Sequence, residues 1–116
     1  MSEDLTQYER ASDIFQLLSH EARLQILDEL RRGEACVCHL QTVLERPQAY
    51  VSQQLRVLRE ADVVVDEKEG LNVYYKIVDE RVLALLEEAL GPPYPTRPLP
   101  ACPCPHCAGG EGDCGR

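Results

Sequence analysis

The spacing of apolar residues predicts that the chain begins with packed helices. One amphipathic face of a first helix is formed by residues three and four positions apart: Leu5, Tyr8, Ala11, Phe15 and Leu18. Ser19 is placed to cap a second helix, which ends at Gly33. The inward positions of the second helix are Ala22, Ile26, Leu27 and Leu30.

Two shorter helices with a tight connection are predicted next. The first covers about residues 35–45, because proline disfavours helix in the residue before it and Pro47 follows. Pro47 can itself start the second, which runs to about Ala61. Its inward residues are Val51, Leu55 and Leu58. Two short helices connected in this way form a helix-turn-helix pattern, which is typical of proteins that read DNA.

The apolar pattern then changes to one that predicts a β-hairpin. Short β-branched runs at 63–65 and 73–78 flank a polar segment, 66–72, which contains a turn glycine. A last helix from about Asp79 carries one apolar stripe: Val82, Leu85, Leu86, Ala89 and Leu90. The predicted fold is mainly α with a β-hairpin, and the hairpin placed after the helix-turn-helix favours a winged helix-turn-helix.

Composition changes at Gly91, beyond which lie seven of the eight prolines and a glycine-rich stretch. Residues 1–90 are therefore predicted to form one folded DNA-binding and dimerisation domain, and residues 91–116 a flexible Pro/Gly/Cys-rich tail. No apolar run approaches the ~20 residues that span a bilayer. The start of the chain also lacks the pattern of a secretory signal. We expect a cytoplasmic protein with no membrane partner.

The chain of 116 residues contains six cysteines. A disulfide framework would suit an exported protein, so metal binding or redox chemistry is the better explanation here. Two cysteines, Cys36 and Cys38, lie in the folded domain. The other four lie in the tail: Cys102, Cys104, Cys107 and Cys114.

The net charge of −8 counts against a large basic surface, but local charge decides phosphate contact. The outward face of the helix after Pro47 carries little acid before Glu60. Glutamine can pair with adenine, and serine and arginine can donate to base edges or phosphates. The predicted DNA-contacting residues are Arg46, Gln48, Tyr50, Ser52, Gln53 and Arg56. An ordinary solvated helix is the alternative, and an acidic wing is expected to add little affinity.

Three segments resemble the ArsR/SmtB family of metal-sensing repressors. They are LSHEARLQIL at 18–27, QAYVSQQLRVLREA at 48–61 and NVYYKI at 72–77. The resemblance covers roughly residues 10–90, and the tail lies outside it. It implies a homodimer, with the first and last helices at the interface. It also implies that double-stranded operator DNA is bound without metal and released with it.

Cys36-Val37-Cys38 is similar to this family's thiolate motif, which supplies ligands to arsenite, cadmium or lead. The position suits thiolates because a helix N-terminus lowers the pKa of a thiol. Residues two apart do not face each other on a regular helix, so joint binding of one ion would require the first turn to distort. That strain would reach the DNA-reading helix that follows. The alternative is a pair of buried small hydrophobic residues.

A thiolate site of two cysteines is incomplete, because the family's arsenite motif commonly has a third cysteine where this chain has Gln41. The tail can supply Cys102, Cys104 or Cys107, from its own or the partner subunit, while Cys114 is expected to be a spare. Three sulfurs would suit As(III) or Sb(III), and four would suit Cd(II) or Pb(II). No organic cofactor is indicated.

The sequence also offers alternatives to metal sensing by thiolates. His39 is expected to be a solvated or core residue, and the last helix has no histidine for the family's zinc site. A thiol-based redox-sensing repressor is the alternative function, and a structural zinc knuckle in the tail is a third. Cys104-Pro105-His106-Cys107 matches the active-site tetrapeptide of thiol oxidants, which requires a thioredoxin-like sheet. We therefore expect no enzyme.

Overall fold

The computed structural model describes residues 3–93 of the chain, with side chains from Leu5 onward. Its elements in chain order are α1 (Glu3–Leu18), α2 (Glu21–Leu30), β1 (Ala35–Cys36), α3 (Val37–Leu44), α4 (Gln48–Glu60), β2 (Val64–Glu69), β3 (Asn72–Ile77) and α5 (Glu80–Leu90). The strands form one antiparallel sheet in the order β1-β3-β2. Within residues 3–93 no helix is long and apolar enough to cross a membrane.

The core lies between α2, α3, α4, α5 and the sheet. The inward residues predicted for α2 and α4 are nearly all buried, which confirms the helical period of both segments. The fully buried members include Ile26, Leu27, Val51, Leu55 and Leu58. Val82 and Leu86 add the buried side of α5. This packing fixes α4 with its opposite face turned outward.

Helix α1 is covered least by the rest of the chain. Leu18 is buried, but Leu5, Tyr8 and Phe15 are 60%, 68% and 59% exposed. The predicted amphipathic face therefore exists, but within one chain most of it faces solvent. Contiguous exposed apolar surface of this kind is typical of an interface.

The third predicted helix is wrong at its start. Ala35 and Cys36 form a two-residue strand that pairs with Tyr75 and Tyr74 of β3, and the helix begins at Val37. The prediction failed because this strand is specified by a partner far along the chain. The cap of α2 also differs from the prediction, because the N-cap is His20 and not Ser19.

The wing is longer than predicted. Strands β2 and β3 pair from Val64↔Ile77 to Glu69↔Asn72, which leaves a turn of two residues at Gly70 and Leu71. Gly70 has φ of 65°, a conformation that favours glycine. The segment assigned to a polar loop is instead paired strand, because the backbone ladder continues beyond the end of the apolar pattern. The fold is a winged helix-turn-helix.

Candidate DNA-binding surface and thiolate site

The turn between α3 and α4 is set by two backbone features. Glu45 ends α3 in a left-handed conformation, with φ of 56° and ψ of 45°. Pro47 then takes the extended conformation of an N-cap, with φ of −61° and ψ of 154°. The proline ring favours this φ. The chain therefore turns between the two helices, and α4 projects its polar face away from the core.

The outward face of α4 collects most of the residues predicted to contact DNA. Ser52, Gln53 and Arg56 are exposed and line a common groove. Arg46 is exposed, and its guanidinium lies 4.9 Å from the ring centroid of Tyr50. This cation–π contact holds both side chains at the start of α4. Gln48 and Tyr50 are half-buried.

Two further residues line the same groove and were not among the predicted DNA-contacting residues. They are Arg59 and Tyr75, and Tyr75 comes from the wing strand β3. Burial, reinforced by the Asp66 carboxylate, raises the pKa of Tyr75, so its hydroxyl remains a hydrogen-bond donor. The spacing of Arg59, three positions after Arg56 on the same helix, is a signal in the sequence that could have found it. Nothing local in the sequence places Tyr75 beside α4.

Acidic side chains of the wing and of α4 itself lie on this surface. Nη1 of Arg59 lies 3.2 Å from Oδ2 of Asp66, and Nε of Arg56 lies 3.6 Å from Oε2 of Glu60. Both pairs are solvent-exposed, so each is weak and screened by salt. They nevertheless compete with phosphate for the two arginines. The expectation that the wing adds little affinity stays a prediction.

The Cys36–Cys38 motif lies where β1 meets α3. Cys36 is fully buried, and as the N-cap of α3 its Sγ accepts a hydrogen bond from the backbone N–H of His39 at 3.4 Å. Cys38 is a half-buried free thiol, so the two cysteines are not bonded to each other. Sulfur at a helix N-cap receives backbone N–H groups, which suits a thiolate.

The prediction that Cys36 and Cys38 both lie in the first turn of α3 is wrong for Cys36. Cys36 has φ of −95° and ψ of 170°, so it is extended and precedes the helix. The rule for residues two apart on a regular helix therefore does not apply to this pair.

His39 has the core role expected of it. It is 5% exposed, and its Nε2 lies 3.0 Å from Oε1 of Glu29 on α2. This hydrogen bond, helped by the positive charge of Arg32, lowers the pKa of Glu29 against the opposing effect of burial. Asp28, Glu29, Arg31, Arg32 and His39 form what we call the α2 ion cluster.

The thiols described within residues 3–93 are too few for a complete ion site. Among these residues no group of three or more His, Cys, Asp or Glu side chains could hold a metal. Cys36 and Cys38 contribute soft donors that fit a thiophilic ion, but fewer than such an ion requires. The predicted tail ligands Cys102, Cys104 and Cys107 lie outside the described residues, as does Cys114.

The sequence of this chain is similar to those of known regulatory proteins. The family model for bacterial regulatory proteins of the arsR family matches residues 20–65. The chain is 37% identical over 114 residues to the arsenical resistance operon repressor of Bacillus subtilis, which covers 97% of this chain and 94% of that protein. It is 36% identical over 84 residues to the transcriptional repressor SmtB homolog of Synechocystis, which covers 72% of this chain and 64% of that protein.

A solved structure gives the same result for the fold. The homodimeric winged helix-turn-helix DNA-binding domain of Mb0332 from Mycobacterium bovis superposes with a TM-score of 0.68 at 27% identity, covering 77% of this chain and 82% of that one. The Bacillus subtilis match, at 114 residues, is too long to be confined to residues 1–90, so it continues into the tail. The chain belongs to the ArsR/SmtB family of DNA-binding, winged helix-turn-helix transcriptional regulators.

Proposed function

We propose that this regulator is a repressor that leaves its operator when a thiophilic ion binds Cys36, Cys38 and cysteines of the tail. The observation that carries the proposal is the position of the thiol pair. Cys36 lies on the sheet that forms the wing, and Cys38 lies on the helix that precedes α4. A ligand shared by both residues acts on both DNA-binding elements.

The connections from the cysteines to the DNA surface are short. Cys36 is in register with Tyr74 of β3, and the next pair joins Ala35 to Tyr75, which lines the α4 groove. Cys38 lies in the first turn of α3, which packs against α4. An ion that draws the two sulfurs together would shift β3 relative to α4. A ligand that favours one arrangement of these elements lowers affinity for DNA bound to the other.

The tail is the proposed source of the missing ligands. Cys102 follows Gly91 by eleven residues, which span at most roughly 36–40 Å. This reach allows Cys102, Cys104 or Cys107 to meet Cys36 and Cys38 in the same subunit or in a partner. Three thiolates suit As(III) or Sb(III), and four suit Cd(II) or Pb(II). Arsenite is the first candidate, since the Bacillus subtilis relative is an arsenical resistance operon repressor.

A homodimer is part of the proposal. The exposed apolar face of α1 continues into a groove shared with α5, where Ile14 and Phe15 lie beside Ala84 and Leu85. A second copy of the chain can cover this surface, as the homodimeric state of the Mycobacterium bovis neighbour suggests. Two α4 helices would then meet successive major grooves of one operator.

The decisive experiment is a titration of the reduced full chain on its own promoter DNA with arsenite, antimonite, cadmium, lead and zinc. Fluorescence anisotropy reports the release of DNA. We expect a thiophilic ion to release the wild type but neither Cys36→Ser nor the triple serine variant of Cys102, Cys104 and Cys107. Cys114→Ser is the matched control and should respond like the wild type. Release that survives in Cys36→Ser would contradict the proposed site.

A thiol-based redox switch is the second candidate function, and the free thiol of Cys38, two positions from Cys36, is the observation that favours it. Peroxide would oxidise two thiols to a disulfide, with loss of two electrons and two protons, and be reduced to water. The same assay distinguishes the functions. Release by peroxide without metal, reversed by dithiothreitol, together with no response to any ion, would replace metal sensing by redox sensing.

A further inference from the structure

One arginine of α2 is hydrogen-bonded to two other helices. Nε of Arg23 donates to Oε1 of Gln54 on α4 at 2.9 Å, across 31 positions of sequence. Nη1 of the same guanidinium donates to the main-chain oxygen of Leu17 at 3.2 Å, in the last turn of α1. Arg23 and Gln54 are both half-buried. A single side chain therefore connects α1, α2 and α4.

The Leu17 carbonyl can accept this bond because of its place in α1. The last four carbonyls of an α-helix have no partner within the helix, and α1 ends at Leu18. A guanidinium is planar and holds its donors at fixed angles. With both bonds formed, the Arg23 side chain therefore fixes where Gln54 lies relative to the end of α1.

Gln54 lies where such a bond controls the rotation of α4 about its own axis. The buried contacts of α4 are made by Val51, Leu55 and Leu58, and apolar packing is non-directional. A hydrogen bond, in contrast, has a preferred direction. Successive residues of a helix point about 100° apart, so a fixed Gln54 also sets the direction of Gln53, which is exposed in the α4 groove.

We propose that Arg23 is a positioning residue for operator recognition, which fixes the orientation of the DNA-reading helix α4 relative to the end of α1. This inference rests on the proposed function, in which a homodimer formed through α1 places two α4 helices on one operator. The spacing of two reading helices must match the half-sites of the DNA. In such a dimer, Arg23 would relate each α4 to the dimer interface by a directional contact, in addition to the apolar core.

The test measures how well the reduced full-length chain discriminates between two DNA duplexes. One is its own promoter DNA and the other is a scrambled sequence of the same length and composition, and fluorescence anisotropy gives both affinities. Arg23→Met removes both bonds and should lower the ratio of the two affinities by about three- to tenfold. Affinity for the scrambled duplex, and its salt dependence, should stay as in the wild type, because sequence-independent binding comes from phosphate contacts.

A double-mutant cycle determines whether Arg23 acts through Gln54. Gln54→Met removes the acceptor at similar size and should also lower the ratio, and the double variant should lose little more than Arg23→Met alone. Arg23→Lys keeps the positive charge but lacks the planar fork that holds both acceptors, so it should resemble Arg23→Met. Gln25→Met, at an exposed position of α2, is the control and should leave the ratio unchanged.

The outcomes that overturn the positioning role differ from one another. An unchanged ratio in Arg23→Met would show that the bond does not orient α4. A parallel fall in both affinities, with a lower melting temperature, would mean that Arg23 only stabilises the fold. A dependence of log affinity on log salt that is shallower by about one would make Arg23 a direct phosphate contact. Additive losses in the double variant would mean that Arg23 and Gln54 act separately.

Failure of the proposed function is visible in the wild type alone. A wild-type chain that binds both duplexes equally, or that sediments as a monomer, would contradict operator recognition by a homodimer and overturn the inference with it. A wild type that discriminates as a dimer, with Arg23→Met still dimeric and equally discriminating, would overturn only the inference.

Discussion

At the scale of single residues, the chain places its buried charges where they connect elements. His39 and Glu29 join α3 to α2 in a largely apolar interior, and Arg31 joins α2 to the end of α5. Buried polar groups are costly unless they are hydrogen-bonded, and here partners are present. These contacts hold the thiol motif against the rest of the domain.

Glu29→Gln should lower the free energy of unfolding by about 1–3 kcal/mol at pH 7, because a charge-assisted hydrogen bond to His39 is lost. The pKa of Glu29 is lowered in the folded state from its ordinary 4.5. Its stabilisation is therefore full above about pH 4.5 and disappears as the pH falls through the lower folded value. Urea unfolding from pH 7 to 3 measures both effects.

The control for this variant is Glu34→Gln, which removes an exposed carboxylate at the end of the loop between α2 and β1. It should leave stability within about 0.5 kcal/mol of the wild type. If Glu29→Gln unfolds with the same pH dependence as the wild type, the lowered pKa does not contribute to acid stability.

At the scale of elements, the wing limits the affinity of α4 for DNA. Asp66→Asn removes the carboxylate 3.2 Å from Nη1 of Arg59 and so frees that arginine for phosphate. We expect DNA affinity to rise by about two- to fivefold at low salt, with the gain shrinking as salt increases. Fluorescence anisotropy over a salt series measures it.

Glu69→Gln is the matched control, because it removes the same charge from the other end of β2. An equal gain in both variants would show that the total charge of the wing matters, and not the Arg59–Asp66 pair. No gain in either would show that Arg59 does not reach the DNA backbone.

The elements that the sequence predicts correctly are those with a local signal. Val51, Leu55 and Leu58 lie one helical turn apart, so their burial follows from spacing alone. Strand β1 could not be found, because Ala35–Cys36 is a strand only through its pairing with Tyr74 and Tyr75. The bond between Arg31 and Gly91 was equally inaccessible, since nothing near either residue indicates the other.

The residues of the candidate sites also fall into two groups: those with a local signal in the sequence and those placed by the tertiary fold. Ser52, Gln53 and Arg56 follow from the polar face of one helix, and the structure brings them together. Tyr75 joins them from another strand, so its placement required the tertiary fold. Cys36 lies at the N-cap, and not inside α3, and it pairs with the wing strand β3. The proposed effect of a bound ion would therefore reach the wing as well as α4.

At the scale of the whole molecule, the uncovered face of α1 points to the assembled state. Phe15 is 59% exposed, yet it lies in a groove with Ala84 and Leu85 of α5. In a homodimer this ring would be buried against the second copy, where aromatic residues often carry much of the binding energy. A charge at this position would then be desolvated without a partner.

Phe15→Asp should therefore weaken self-association by about 30-fold or more, as measured by sedimentation equilibrium. DNA affinity should fall with it, because one α4 helix reads only half of an operator. Leu71→Asp is the control: Leu71 is 71% exposed at the wing turn and should leave the mass in solution unchanged. If Phe15→Asp remains a dimer at the wild-type affinity, the apolar face of α1 is not the dimer interface. Loss of DNA binding without loss of the dimer would instead show that α1 holds the DNA-binding elements in place.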